Sequence, residues 1–235
     1  MQGLSAAFKY LTLWGRSGAN GPTPEAVGAA AIYFPLVGSV LGLLLAIVNY
    51  VLSLYLDSEI LSILLIAILW AATGGKHIEG TKHTFDTMAP INYQSAGQRS
   101  QTLGFVAIFF VLLVKIGATN AIDERIALSL FLAPIAARWV LVLFIYGYHD
   151  RCEETPKRIA ESVKFWHLLA ATAATLGLAV YLLGRKGLWL GLSLSVFAFL
   201  IRSLLHRGDT ILTHDNFGAV IEFSEALSLI LLASL

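Results

Sequence analysis

The sequence predicts an all-α protein, a polytopic transmembrane helical bundle of about seven spans with its N-terminus in the cytoplasm. Three observations predict it. Hydrophobic residues make up 57% of the 235 positions and charged residues only 13%, whereas soluble domains carry roughly a quarter charged residues. The mean hydropathy is +0.75, and the apolar residues gather into long runs. Lys and Arg are divided unequally between the segments that connect those runs.

In chain order, residues 1–26 predict an interfacial N-terminal segment. Phe8, Lys9, Tyr10 and Trp14 suit a short helix lying at the membrane surface, and the stretch lacks the apolar core of a cleavable signal. Apolar runs follow at about 27–56, 60–74, 103–121, 126–148, 165–183, 187–205 and 217–235. A spanning helix needs about 20 apolar residues, so 60–74 is short. Six spans plus a re-entrant segment is therefore the alternative to seven. No internal repeat and no separate soluble unit is evident, so residues 1–235 form a single integral membrane domain.

An inside N-terminus puts 1–26, 75–102, 149–164 and 206–216 on the cytoplasmic side. Those segments hold Lys9, Arg16, Lys76, Lys82, Arg99, Arg151, Lys157, Arg158, Lys164 and Arg207. The opposite side holds Arg125, Arg185 and Lys186, a bias in the direction of the positive-inside rule. The Arg185–Lys186 pair runs against it. The three cytoplasmic loops 75–102, 149–164 and 206–216 share one face, so distant residues can build one site there. The formal charge of +1 offers no basic footprint for nucleic acid, and the bilayer is the expected macromolecular surround. Cys152 is the only cysteine. It cannot form an internal disulfide, and no activating pattern surrounds it.

Polar residues that can carry chemistry fall in three groups. Glu79, His83 and Asp86 stand at i, i+4 and i+7, within about 60° of one another on a helix. Two carboxylates and an imidazole in a row suit a divalent cation; a solvated helix face is the plainer reading. Asp215, Glu222 and Glu225 also share one helical face, and the last two lie in an apolar run. A carboxylate in hydrocarbon must face a polar cavity or a partner. Lys115 and Arg138 lie in apolar runs as well. Snorkelling to the surface, pairing with the carboxylates and holding phosphate oxygens are the three readings, and Arg138 lies too deep to snorkel fully. Arg202 reads as an interface anchor. His77 and His214 flank the acidic groups.

Four stretches together resemble the cobalamin (5′-phosphate) synthase family, the adenosylcobinamide-GDP ribazoletransferases. They are Tyr33-Phe34-Pro35-Leu36-Val37-Gly38, Gly74-Gly75-Lys76-His77-Ile78-Glu79-Gly80, Leu132-Ala133-Pro134 with Arg138-Trp139, and Thr213-His214-Asp215-Asn216-Phe217-Gly218-Ala219-Val220-Ile221-Glu222. The second is similar to the family's G-G-x-H-L-D-G-L-A-D-x-x-D-G and the fourth to its T-G-D-x-x-G-A-x-x-E. The chain departs from the pattern in three places. The family's three aspartates fall on Glu79, His83 and Asp86, its final glycine falls on Thr87, and its acidic D-S-R segment is replaced by Gly97-Gln98-Arg99-Ser100-Gln101.

The resemblance implies a membrane transferase of the last steps of cobalamin biosynthesis, in the cell inner membrane. It would join α-ribazole or its 5′-phosphate to adenosylcobinamide-GDP and release GMP. It implies Glu79, His83, Asp86 and Asp215 as catalytic residues. Mg²⁺, with Mn²⁺ as the alternative, would be held by Glu79, Asp86, Asp215 and Glu222. Lys115, Arg138, Arg99 and His77 would bind substrate phosphate, and a homo-oligomer is compatible with the reading. The rival readings are a divergent transferase for another nucleotide-activated substrate and a non-catalytic binding or transport protein.

Overall fold

The computed structural model describes residues 2–14, 21–88, 102–148, 152–206 and 211–235. Among them every regular element is helical, and strand pairing is limited to one parallel bridge between Cys152 and Leu212. In chain order come α1 (Gln2–Leu11), α2 (Pro24–Ala29), a 3-10 turn (Ala31–Tyr33), α3 (Phe34–Leu52), α4 (Ser58–Thr73), α5 (Lys76–Met88), α6 (Thr102–Asn120) and α7 (Ile126–Ile145). The rest are α8 (Glu154–Ser162), α9 (Phe165–Leu183), α10 (Arg185–His206) and α11 (His214–Ser234). Among the described residues six helices are long and apolar enough to cross a membrane: α3 with its preceding turn, α6, α7, α9, α10 and α11. The protein is a multi-pass helical membrane protein.

α7 is the hub. Its residues are apolar on every side, which is the signature of a helix surrounded by protein, and 83% of its span is buried against 22% for α9. α3 lies against it through Gly38 and Gly42. A Cβ on Gly38 would stand 2.5 Å from the carbonyl oxygen of Pro134, and one on Gly42 would strike the backbone of Phe131. Small residues let two backbones approach where lipid supplies no hydrophobic drive between helices. α11, 67% buried, packs on α5, α6 and α7. The outer faces carry Leu43, Ile47, Phe105, Phe109, Phe110, Trp189, Leu192 and Phe199, all exposed, as a lipid-facing surface requires.

The short run at 60–74 resolves into a bent pair. α4 has 16 residues, about 24 Å of rise, against a hydrocarbon core of about 30 Å. α5 follows at an angle of 89°. The corner is Gly74-Gly75, with φ of 70° and 68°, a left-handed conformation open to glycine at little cost. The polar stretch placed at 75–102 is thus helical over Lys76–Met88, and that at 149–164 is helical over Glu154–Ser162.

The ends of the helices sort into two levels. Asn49 of α3, Ser53 just after it, Ser58 and Ser62 of α4, Thr119 of α6 and Asp123 before α7 line one cavity of about 300 Å³. α5 and the starts of α6 and α11 meet at the other end. Arg202, expected as an interface anchor, binds the chain just after α7, donating to the carbonyls of Tyr146 (3.0 Å) and Gly147 (2.7 Å).

Candidate functional site

α5 and α11 carry most of the polar residues singled out in the sequence, and glycine brings them together. A Cβ on Gly80 would lie 2.6 Å from the carbonyl oxygen of Asp215. One on Gly218 would lie 2.9 Å from the carbonyl oxygen of His77 and 3.3 Å from Cα of Gly80. The helices therefore cross backbone to backbone, with Asp215 in the contact and Glu79 next in sequence to Gly80. α11 starts with a reciprocal cap: the backbone N–H of Thr213 donates to Oδ1 of Asn216 at 2.7 Å. Nδ2 of Asn216 then donates to Oγ1 of Thr84 at 3.0 Å, tying the cap to α5.

The predicted row on α5 divides in two. Glu79 and His83 have side chains 74% and 53% exposed and stand 4.0 Å apart, facing out of the bundle. Asp86, one turn further on, is buried. It accepts from Nζ of Lys82 at 2.9 Å and from the backbone N–H of Gly104 at 2.8 Å. Gly104 sits in the first turn of α6, where amide groups lack helical partners and the helix dipole favours an anion. A side chain on Gly104 would collide with Asp86 Oδ1, at 2.7 Å. Nζ of Lys82 also lies 5.1 Å from the ring centre of Phe105, so it is held between a carboxylate and an aromatic face.

The buried charges form a second assembly deeper in the bundle. Glu225 lies 10 residues after Asp215, about 15 Å along α11. Nζ of Lys115 stands 2.5 Å from Oε2 of Glu222 and also contacts Oε2 of Glu225. Nη1 of Arg138 donates to Oε1 of Glu225 and, at 3.4 Å, to the carbonyl of Pro134. The indole N–H of Trp70 donates to Oε2 of Glu222 at 3.2 Å. Lys115, Arg138, Glu222 and Glu225 are at most 2% exposed. Two cations and two anions balance, as charge in hydrocarbon must.

Of the three readings of Lys115 and Arg138, the geometry is that of carboxylate pairing. Glu222, expected with the metal ligands, faces Lys115 and Trp70. His77 is buried at the start of α5, and its Nδ1 has no partner among the described residues; Nε and Nη2 of Arg138 are in the same state. Arg99, the remaining expected phosphate ligand, lies outside the described residues, as do Gly97–Gln101.

Tyr10 of α1 stacks on Phe34, centroids 5.9 Å apart, and meets His214 edge-on at 5.4 Å, so the N-terminal segment abuts the start of α11. Burial pushes the Tyr10 phenol well above its ordinary range.

Sequence reasoning assigned no role in the site to Lys82, Trp70, Gly80 or Gly104. Lys82 and Asp86 stand at i and i+4, a spacing that signals a helical ion pair, and this signal was available. Trp70 reaches Glu222 across 152 positions, and no local pattern announces that.

A divalent cation fits this donor set in one form. Mg²⁺ is commonly held by one or two carboxylates together with substrate phosphates and water. Among the described residues no three His, Cys, Asp or Glu converge as a closed cage, while Glu79 is exposed and Asp215 half-exposed on adjoining elements.

The sequence pattern of the family described as Cobalamin-5-phosphate synthase matches residues 3–233. A protein of Pseudomonas paraeruginosa named adenosylcobinamide-GDP ribazoletransferase is 32% identical over 252 residues, covering 99% of this chain and 98% of its own length. Proteins of the same name from Geotalea daltonii and Roseiflexus sp. are 29% and 26% identical, covering 90% and 96% of this chain and 88% and 87% of their own lengths. No solved structure matches the chain. A match from residue 3 to residue 233 takes in every helix from α3 to α10 and nearly all of α11, so the chain belongs to the cobalamin-5-phosphate synthase family.

Proposed function

We propose that this protein is an adenosylcobinamide-GDP ribazoletransferase, the enzyme that its relatives are named for, acting late in cobalamin biosynthesis. The observation that carries the reading is the crossing of α5 and α11, which puts the two acidic motif stretches at one end of the bundle. A free ribose hydroxyl of α-ribazole, or of its 5′-phosphate, attacks the phosphorus bound to the cobinamide side. A new P–O bond forms, the P–O bond to GMP breaks, and the proton of the attacking group leaves to a base. His83, exposed beside Glu79, would take that proton.

Glu79 and Asp215 would hold a Mg²⁺ or Mn²⁺ ion shared with the substrate phosphates, which would neutralise charge on the transferring group. Asp86 keeps Lys82 fixed at the start of α6, and Lys82 offers a point charge to phosphate. The amphiphilic corrinoid accounts for the membrane setting. The excess of Lys and Arg in 1–26, 75–102, 149–164 and 206–216 supports a cytoplasmic site and an N-terminus inside the cell inner membrane.

Protein reconstituted in vesicles with adenosylcobinamide-GDP, α-ribazole and Mg²⁺ should release GMP. Asp86→Ala should reduce that rate by at least about a hundredfold, the scale of losing one preorganised electrostatic contact. Absence of GMP from folded wild-type protein with either Mg²⁺ or Mn²⁺ would overturn the assignment.

A further inference from the structure

Between α5, α10 and α11 lies a cavity of about 360 Å³ whose walls are almost entirely apolar. Phe85 and Phe223, stacked with centroids 5.4 Å apart and planes 22° from parallel, make a stiff aromatic wall. Ala219 closes the α11 side and Leu204 of α10 stands at the outer rim, 56% exposed. Its polar corner is the Thr84–Asn216 pair, hydrogen-bonded at 3.0 Å. Thr84 is two residues before Asp86, and Asn216 follows Asp215, so this corner adjoins the acidic site.

We infer that this cavity receives the flat, apolar base of the acceptor nucleoside, leaving its ribose hydroxyls directed to the acidic site. The inference rests on the proposed reaction for the identity of that nucleoside. The volume is near the lower end of the roughly 300–1,000 Å³ of small-molecule pockets, room for a fused bicyclic ring and too little for a corrin macrocycle. Flat heteroaromatic rings gain by stacking on aromatic side chains. A benzimidazole bears two methyl groups in α-ribazole and only two ring nitrogens, so an apolar chamber with one polar corner matches its surface. Position matters as much as lining: a base anchored beside Asn216 leaves its attached sugar close to the start of α11.

The test uses the full chain in phospholipid vesicles and two cavity-filling variants, Leu204→Trp at the rim and Ala219→Leu in the wall. Both should raise KM for α-ribazole by at least about tenfold, the scale of a steric change in an apolar pocket, with KM for adenosylcobinamide-GDP at the wild-type value. Free 5,6-dimethylbenzimidazole should compete with α-ribazole in the wild type and lose that competition in both variants. Equilibrium dialysis of labelled α-ribazole separates this inference from the reaction it rests on. Binding to wild type that Leu204→Trp abolishes, without GMP release, would sink the reaction and keep the pocket. GMP release with an unchanged KM for α-ribazole in Leu204→Trp would sink the pocket and keep the reaction. Loss of co-purified phospholipid from that variant, with KM unchanged, would make the cavity an acyl-chain groove and overturn the inference.

Discussion

Lys115 and Arg138 illustrate what burial does to a charged residue. Neither can reach water, and each finds a carboxylate from α11 instead. Removing one member leaves an uncompensated charge in the bundle, which costs about 3–5 kcal/mol. Lys115→Met should therefore lower the melting temperature in detergent sharply, and Glu225→Gln should do the same by stranding Arg138. The double variant Lys115→Met with Glu222→Gln removes one charge of each sign and keeps the Arg138–Glu225 pair. It should recover most of the lost stability; a double variant no more stable than Lys115→Met would refute charge balance as the reason for the pairing. The residue types and their depth were legible in the sequence, because Lys, Arg and Glu stand out in apolar runs. Which cation meets which anion was not, since the partners are separated by 87 to 110 positions.

At the scale of elements, glycine decides how closely helices cross. Gly80 and Gly218 have no room for a methyl group, and the opposing atoms are backbone, which cannot rotate aside. Gly80→Ala should cost about 1–3 kcal/mol by overpacking and lower GMP release beyond what the stability loss explains, because it moves Glu79 relative to Asp215. An unchanged rate in Gly80→Ala would show that this spacing is unimportant. Gly74→Ala acts on the corner between α4 and α5, where a left-handed residue costs an L side chain about 1–2 kcal/mol and Leu13 crowds the position. It should shift the melting temperature, with less effect in Gly75→Ala, whose Cβ would meet nothing within 4 Å. The Gly-Gly pair was plain in the sequence as a break. The 89° turn it makes was not, because a break carries no angle. The row Glu79, His83, Asp86 was correctly helical in its spacing, but its periodicity could not show that the start of α6 covers only the last turn.

For the whole molecule, the two levels of helix ends make a topological prediction. Single cysteines at Lys157 and Ser58, in a background with Cys152 replaced by Ser, should react with a membrane-impermeant maleimide from opposite sides of sealed vesicles. Lys157 belongs on the side of Asp215, since Glu153 donates its N–H to the carbonyl of Leu212 at 2.9 Å. Ser58 lines the cavity at the far end. Labelling of both from one side would contradict the bundle. The sequence by itself determined that this is a multi-pass helical protein, where most spans lie and which family it belongs to. Those properties reside in local composition, in runs about 20 residues long and in short motifs, and hydrocarbon permits little besides helices. Only the tertiary structure decided that α4 and α5 form a bent pair, that Lys115 and Arg138 serve carboxylates, and that Asp86 is held by Lys82 and α6. Each of these depends on contacts between segments far apart in the chain, set by glycine-mediated packing and by the need of every buried charge for a partner, and neither is encoded within a single run.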